Sequence, residues 1–276
     1  MNKIKIILGY ILGIILTIFI SSIVLLLILK FTIYKESYIK CVLVKTDYYN
    51  EVYESTLLEM KDYMTSSGLE EEILNDLFTK DDIKNDINNY FSYIYKGKIY
   101  NKDLNPLKEK LNNNINANLK KHNLDVTNRK ELEAFEDDII GIYNKEVTLY
   151  GRVNKLINKF YKIGLLINKL IIILGITSLI ISIILILFKT KYLGSVFIGS
   201  SLILYFIRFL LFEKIDINNI YLFTEYISKV IVSVLLKIED LLLKSSIYII
   251  IFGLIICLIE SINFKKNKYK KKNKRS

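Results

Sequence analysis

Few side chains in this sequence could carry out a reaction. The only histidine is His122, flanked by Lys120, Lys121 and Asn123. A histidine-based zinc site or an HExxH helix needs at least two histidines, so both are excluded. Cys41 and Cys257 are the two cysteines. The apolar pattern described below puts them at different membrane depths, which argues against a disulfide. There is no GxSxG, P-loop or GxGxxG. The acidic run Asp81-Asp82-Ile83-Lys84-Asn85-Asp86 lacks the glycine and the closing glutamate of an EF-hand loop. No carboxylate falls in the middle of an apolar block, which counts against a proton relay or an intramembrane aspartyl protease. General acid–base chemistry needs positioned titratable groups. The expectation is therefore a protein that is not an enzyme and uses no cofactor and no metal.

Two kinds of charged residue remain to be explained. Arg208 is the one charge inside an apolar block, about four residues, or roughly 6 Å, from its end. Snorkelling to headgroups or to Glu213 is the plain expectation, and a role in a ligand or ion path is the alternative. The chain also ends in Lys265, Lys266, Lys268, Lys270, Lys271, Lys272, Lys274 and Arg275. Near a bilayer such residues hold anionic lipid at about 1 kcal/mol each, and equally they can mark topology. A nucleic-acid partner is not expected, because no folded module accompanies them and the only aromatics nearby are Phe264 and Tyr269.

The elements that must position these residues follow from the apolar pattern. The chain has 276 residues, is 52% hydrophobic and carries a net charge of +11. The hydrophobic surplus lies in four blocks, which excludes a single soluble domain, a disordered chain and a disulfide scaffold. The first block is residues 6–29, 24 residues without a charge, roughly 36 Å of helix. It is longer than a signal-peptide core and reads as an uncleaved anchor. The others are 170–188, 192–212 and roughly 241–262. The tripeptide Lys189-Thr190-Lys191 joins the second and third into an antiparallel hairpin. The fold class is all-α: a four-span transmembrane bundle with a helical extracytoplasmic domain between spans 1 and 2.

The charge map sets the orientation. Twelve of the 39 basic residues, and one of the 28 acidic ones, lie in residues 1–5, 189–191 and 260–276. The rest of the chain is neutral. Four spans place all three pieces on one side, as the positive-inside rule requires. Residues 1–29 then form the N-terminus and first span, and 30–169 the extracytoplasmic domain. Residues 170–212 are the hairpin, 213–240 an extracytoplasmic amphipathic helix, 241–262 the fourth span and 263–276 a polybasic tail. A multi-pass plasma-membrane protein with both termini cytoplasmic is expected. Small residues recur at packing spacing in each span: Gly9 and Gly13, Gly175, Gly199, Gly253. They predict packing within the bundle, with a homo-oligomer through the Gly9/Gly13 face as the sharper alternative.

The extracytoplasmic domain reads as short helices. Thr46-Asp47 is a cap for a helix whose apolar face is Tyr49, Val52, Tyr53, Thr56, Met60, Tyr63 and Met64, stopped at Ser66-Ser67-Gly68. A short helix with Leu69, Ile73 and Leu77 follows. Thr79 and Asp82 make a weaker relative of a capping box for a helix with Ile83, Ile87, Phe91 and Ile94, stopped by Gly97. Asn105-Pro106 caps a helix with Leu107, Leu111, Ile115 and Leu119. From Thr127 a 3,4-spaced seam runs through Leu132, Phe135, Ile139, Ile142, Glu146, Leu149, Val153, Leu156, Phe160, Ile163 and Ile167 to Leu170. It predicts one long helix, or two nearly collinear ones, running into the second span. A stripe from Ile220 through Phe223, Ile227, Val230, Val234 and Ile238 to Leu241 leads likewise into the fourth. Residues 47–86 are net −9 and residues 96–130 net +6. Complementary helices with solvated faces are expected; a divalent-cation or polycation site on the acidic half is the sharper alternative.

One stretch resembles a known group. Tyr48-Tyr49, then Ser66-Ser67-Gly68-Leu69, then Thr79-Lys80-Asp81-Asp82-Ile83-Lys84-Asn85-Asp86-Ile87 ending Tyr95-Lys96-Gly97, is similar to uncharacterised multi-pass membrane proteins of low-GC Gram-positive bacteria. Abundant Ile, Lys, Asn and Tyr, with no Trp, fit an AT-rich genome. The resemblance covers about a fifth of the chain and implies architecture and a plasma-membrane location, but no activity. The functional expectation is a non-enzymatic protein whose outer domain binds an envelope or membrane-protein partner in an accessory or sensory role, with membrane lipids as its other contacts. The alternative is an oligomeric small-solute or ion transporter, which a polar cavity around Ser178, Ser182, Ser200 and Ser201 would favour.

Overall fold

The computed structural model describes residues 3–67, 69–123, 129–148, 156–188, 192–213 and 224–272, with backbone alone for Lys3 and for 263–272. These residues are almost entirely helical and include no strand. Nine α-helices follow in order: α1 Lys3–Phe31, α2 Glu36–Lys45, α3 Tyr48–Ser66, α4 Lys80–Tyr95, α5 Asn105–Lys121, α6 Arg129–Val147, α7 Ile157–Leu187, α8 Leu193–Phe212 and α9 Glu225–Lys272. Four of them are long and apolar enough to cross a membrane: α1, α7, α8 and α9 up to Ile262.

The chain divides into two compact units. An apolar unit comprises Met1–Lys35, Gly164–Tyr221 and Ile231–Ser276, and a polar unit comprises Glu36–Ile163 and Leu222–Val230. Both α7 and α9 begin in the polar unit and continue without a break into segments of the apolar one.

Within the polar unit the helices form for local reasons that the sequence partly shows. At the start of α4 the Thr79 hydroxyl accepts from the Asp82 N–H at 3.2 Å, and Asp82 accepts from the Thr79 N–H at 2.8 Å. This is a complete capping box. The Thr79 N–H is the largest influence on Asp82 and holds its carboxyl below the usual range. Gly97, at φ 68°, ends the helix where a side chain would be strained, and the Tyr161 ring lies against its backbone. The core is built from Val52, Met60, Met64, Ile73, Ile83, Ile87, Leu111, Ile115 and Ile139, each at most 1% exposed. Each such burial contributes about 1.5–3 kcal/mol.

Several local expectations fail, each for a physical reason. Thr46-Asp47 is no cap: Asp47 is left-handed at φ 54° and makes no capping bond, while the Thr46 hydroxyl donates back to the Val42 carbonyl at 3.0 Å. Asp47 instead serves as the corner between α3 and α2, a helix the apolar pattern had not suggested. The helix expected through Leu69, Ile73 and Leu77 is a single 3-10 turn, Glu71–Leu74. Ile73, Leu74, Leu77 and Phe78 are all buried; adjacent pairs buried together do not fit the one-sided stripe of an amphipathic helix. Asn105 is already the first residue of α5, and Asp103 accepts from its N–H at 3.0 Å. The seam from Thr127 to Leu170 holds two helices, α6 and α7, which is the two-helix form of that expectation. Thr127, Leu149 and Val153 lie outside the described residues. The buried stripe also loses register: Leu156 is 55% exposed while Ile157 beside it is 2%.

The apolar unit is organised around α8. Val196 packs with Leu16 of α1 and Leu185 of α7, and Leu204 packs with Ile28 of α1 and with Ile238 and Leu242 of α9.

Candidate functional site

Two constellations bring polar groups together, one in each unit. In the polar unit the strongest lies beneath α4. Asp86 sits on the apolar face of that helix, 7% exposed, between Ile83 and Ile87 in sequence. It accepts from the Tyr143 hydroxyl of α6 at 2.5 Å and the Tyr100 hydroxyl at 3.4 Å, and it pairs with the Lys102 ammonium. That ammonium also stands 4.8 Å from the centre of the Tyr143 ring. Burial, and then the bond to Asp86, push the Tyr143 phenol far above its ordinary value, and burial lifts that of Tyr100 to about 12. A buried carboxylate needs such partners, because an isolated one costs far more than any packing gain.

A second buried acid lies at Glu146, 2% exposed, which accepts from the Tyr226 hydroxyl at 2.5 Å. Tyr226 belongs to the first turn of α9. Its ring meets that of the buried Tyr48 edge-on at 5.5 Å, and burial raises its phenol to about 12. Lys229, one turn on, pairs with Glu51 of α3 at 2.6 Å and with Glu225 at 3.1 Å. The start of α9 is thus part of the polar unit's fold. Glu136 is the third buried acid and accepts from the Asn112 amide at 2.6 Å.

These groups hold the polar unit together. Among the described residues no three His, Cys, Asp or Glu side chains could share a metal ion. His122 caps α5 and meets Glu70 at 3.1 Å. The oppositely charged halves of the domain pair directly, with Lys121 on Glu72 at 2.8 Å and Asn118 on Glu70 at 2.7 Å. A groove of about 610 Å³ lies between α3 and α6. Its acids are largely engaged: Lys145 binds Glu59 at 2.8 Å, Tyr63 donates to Asp138, and Lys108 binds Asp137 at 2.5 Å.

In the apolar unit the polar groups run along α8. The Ser200 hydroxyl donates to the Thr17 carbonyl of α1 at 3.0 Å, and that of Ser201 to the Ser246 carbonyl of α9 at 2.7 Å. The Ser182 hydroxyl donates to the Ser178 carbonyl of its own helix at 2.8 Å. A methyl group on Gly13 would come 3.7 Å from Val196, on Gly199 3.1 Å from Thr17, and on Gly253 3.0 Å from the Gly194 carbonyl and from Ile198. Gly9 is buried. Gly175 departs from the packing expectation: a methyl there would meet nothing within 4 Å among the described residues. At Gly13 the chain's own α8 packs against α1.

Arg208 meets Glu239 of α9 at 2.6 Å rather than Glu213. Its fourth-helix partner was concealed by placing the span's start at Leu241; the helix begins at Glu225. Sequence reasoning also missed Gly194, whose added methyl would collide with the Cys257 sulfur and lie 2.8 Å from its backbone nitrogen. The tail lysines up to Lys272 belong to α9, and Lys274 and Arg275 lie outside the described residues.

No family model, no curated protein and no solved structure matches the chain.

Proposed function

We propose that this is a non-enzymatic, multi-pass protein of the plasma membrane, with both termini cytoplasmic. Its polar helical unit stands outside and binds an envelope or membrane-protein partner in an accessory or sensory role. The observation that carries the reading is the continuity of α7 and α9, each of which starts in the polar unit and runs on as a candidate span. The buried acids of the polar unit are spent on tyrosines, lysine and asparagine that fix its fold, which leaves its surface as the part available for contact. Arg208 then serves as a packing charge, and the glycines at 13, 199 and 253 as close helix contacts.

Photo-crosslinking in native membranes from Leu58 and Ile99, both exposed apolar positions of the polar unit, tests this. A discrete adduct from either position is expected. Recovery of no specific protein or envelope component would defeat the reading. A transporter remains the alternative, and flux in liposomes abolished by Arg208→Ala would reverse the order. The serine hydroxyls of the spans favour the first reading, since those of Ser200 and Ser201 are bonded to carbonyls of neighbouring helices.

A further inference from the structure

The last helix does not stop where its apolar stretch stops. It continues from Ile262 to Lys272, ten residues, or roughly 15 Å beyond the hydrophobic segment. Those ten residues include Lys265, Lys266, Lys268, Lys270, Lys271 and Lys272, and no acid follows Glu260. At 100° per residue the six positions encircle the helix, leaving no arc much wider than about 100° without a lysine. A helix lying flat on a bilayer needs an apolar face, and this one has none. It continues the span through the headgroup layer.

Such a helix repels itself. Lys266 and Lys270, and Lys268 and Lys272, stand at i,i+4; Lys265 and Lys268, and Lys268 and Lys271, at i,i+3. Like charges at these spacings destabilise an isolated helix, and no carboxylate in the segment offsets them. The helix C-terminus favours cations only within its last turn. Topology marking requires lysines on one side of the membrane but does not require them to be ordered. Anions at the depth where phospholipid phosphates lie would offset that repulsion.

We propose that the end of α9 is a binding site for anionic phospholipid headgroups of the bilayer it crosses, and that this binding stabilises the helix from Lys265 to Lys272. The proposal stands on the fourth helix spanning a bilayer and not on the identity of any protein partner.

The test is hydrogen exchange of the full-length protein in nanodiscs of phosphatidylcholine, with and without phosphatidylglycerol. Exchange of the amides from Lys265 to Lys272 should slow roughly tenfold or more in the anionic discs, since each lysine held at an anionic surface is favoured by about fivefold. High salt should reverse it. Inorganic phosphate added to neutral discs should have little effect; equal slowing by phosphate would overturn the bilayer as the source. Slowing by a short RNA in neutral discs, without slowing by anionic lipid, would overturn the proposal outright. A variant with Lys265, Lys266 and Lys268 changed to Gln should lose most of the lipid dependence, and the same positions changed to Arg should keep it. Amides of the polar unit report that both variants are folded. An unchanged ratio between the two disc types in the wild-type protein would refute the proposal.

Discussion

Removing one oxygen from either of two buried tyrosines should change stability in opposite directions. Tyr90 and Tyr143 are both 0% exposed and both belong to the polar unit. The Tyr143 hydroxyl donates to the buried Asp86 at 2.5 Å. The Tyr90 hydroxyl has no partner among the described residues, and burial alone lifts its phenol to about 12. Tyr143→Phe removes a hydrogen bond to a charged acceptor, a loss of about 1.5–3 kcal/mol. The lower part of that range applies, because Asp86 keeps Lys102 and Tyr100. Tyr90→Phe removes only a desolvated, unsatisfied hydroxyl. The ring contacts with Phe91 and Tyr100, at 6.1 and 6.2 Å, are retained. A gain of up to about 1 kcal/mol follows, because an orphaned buried polar group costs about 1–3 kcal/mol. The two variants should therefore differ by roughly 1.5–3 kcal/mol. Pulse proteolysis of the intact protein across a urea series, scored by cleavage within the polar unit, measures the difference. Equal destabilisation by both substitutions would show that the Tyr90 hydroxyl is satisfied and would refute the reasoning.

Three further outcomes follow from the same geometry. Tyr90, Tyr100 and Tyr226 have phenols raised from 10.0 to about 12. The stability they contribute is fully present below pH 10 and is lost as pH rises toward 12; tyrosinate absorbance should appear together with loss of helix, and titration of these phenols without unfolding would contradict it. Gly194→Ala should force α8 and α9 apart at Cys257, whereas Gly175→Ala should be tolerated; iodoacetamide labelling of Cys257 should accelerate in the first variant and stay unchanged in the second. Arg208→Ala should destabilise the apolar unit by on the order of 1–3 kcal/mol by leaving Glu239 unpaired, and Arg208→Leu with Glu239→Leu should recover most of it; additive losses in a double-mutant cycle would mean that the pair is not coupled.

The helical class and the four candidate spans were legible because a run of twenty apolar residues has few other uses. The capping box at Thr79 and Asp82 was legible because both partners lie within one turn. The i,i+4 pairs Glu225–Lys229 and Asp240–Lys244 were legible for the same reason, and both form. What failed depended on distant partners. Nothing local says that Asp47 turns left-handed, or that Leu74 and Phe78 are buried beside Ile73 and Leu77. The polar clusters left a fainter trace. Asp86 interrupts the apolar face of α4, and Glu146 is the one polar residue in an otherwise apolar seam. Each interruption marks a buried acid whose tyrosine lies on another helix. Gly194 left no trace, since its requirement comes from Cys257, more than sixty residues away.

The apolar unit uses its polar residues in a way that separates the two functional readings. A transport path needs hydroxyls or charges that face a continuous cavity and can exchange partners with a moving solute. Ser200 and Ser201 donate to carbonyls of α1 and α9 respectively. The Thr17 hydroxyl also reaches the Val196 carbonyl of α8 at 3.5 Å, and that of Ser21 the Ser200 carbonyl at 3.4 Å. Bonds of this kind between helices contribute about 0.6 kcal/mol each in lipid, up to nearly 2. Together with the close approach at Gly194 and Gly253 they fix α8 against its neighbours. A solute passing along α8 would have to break several of them at once, and Arg208 and Glu239, the charged pair between α8 and α9, already bind each other. The polar residues of the spans therefore weigh toward a packed anchor. By the same logic, the search for a ligand or partner belongs on the surface of the polar unit and at the lysine-ringed end of α9.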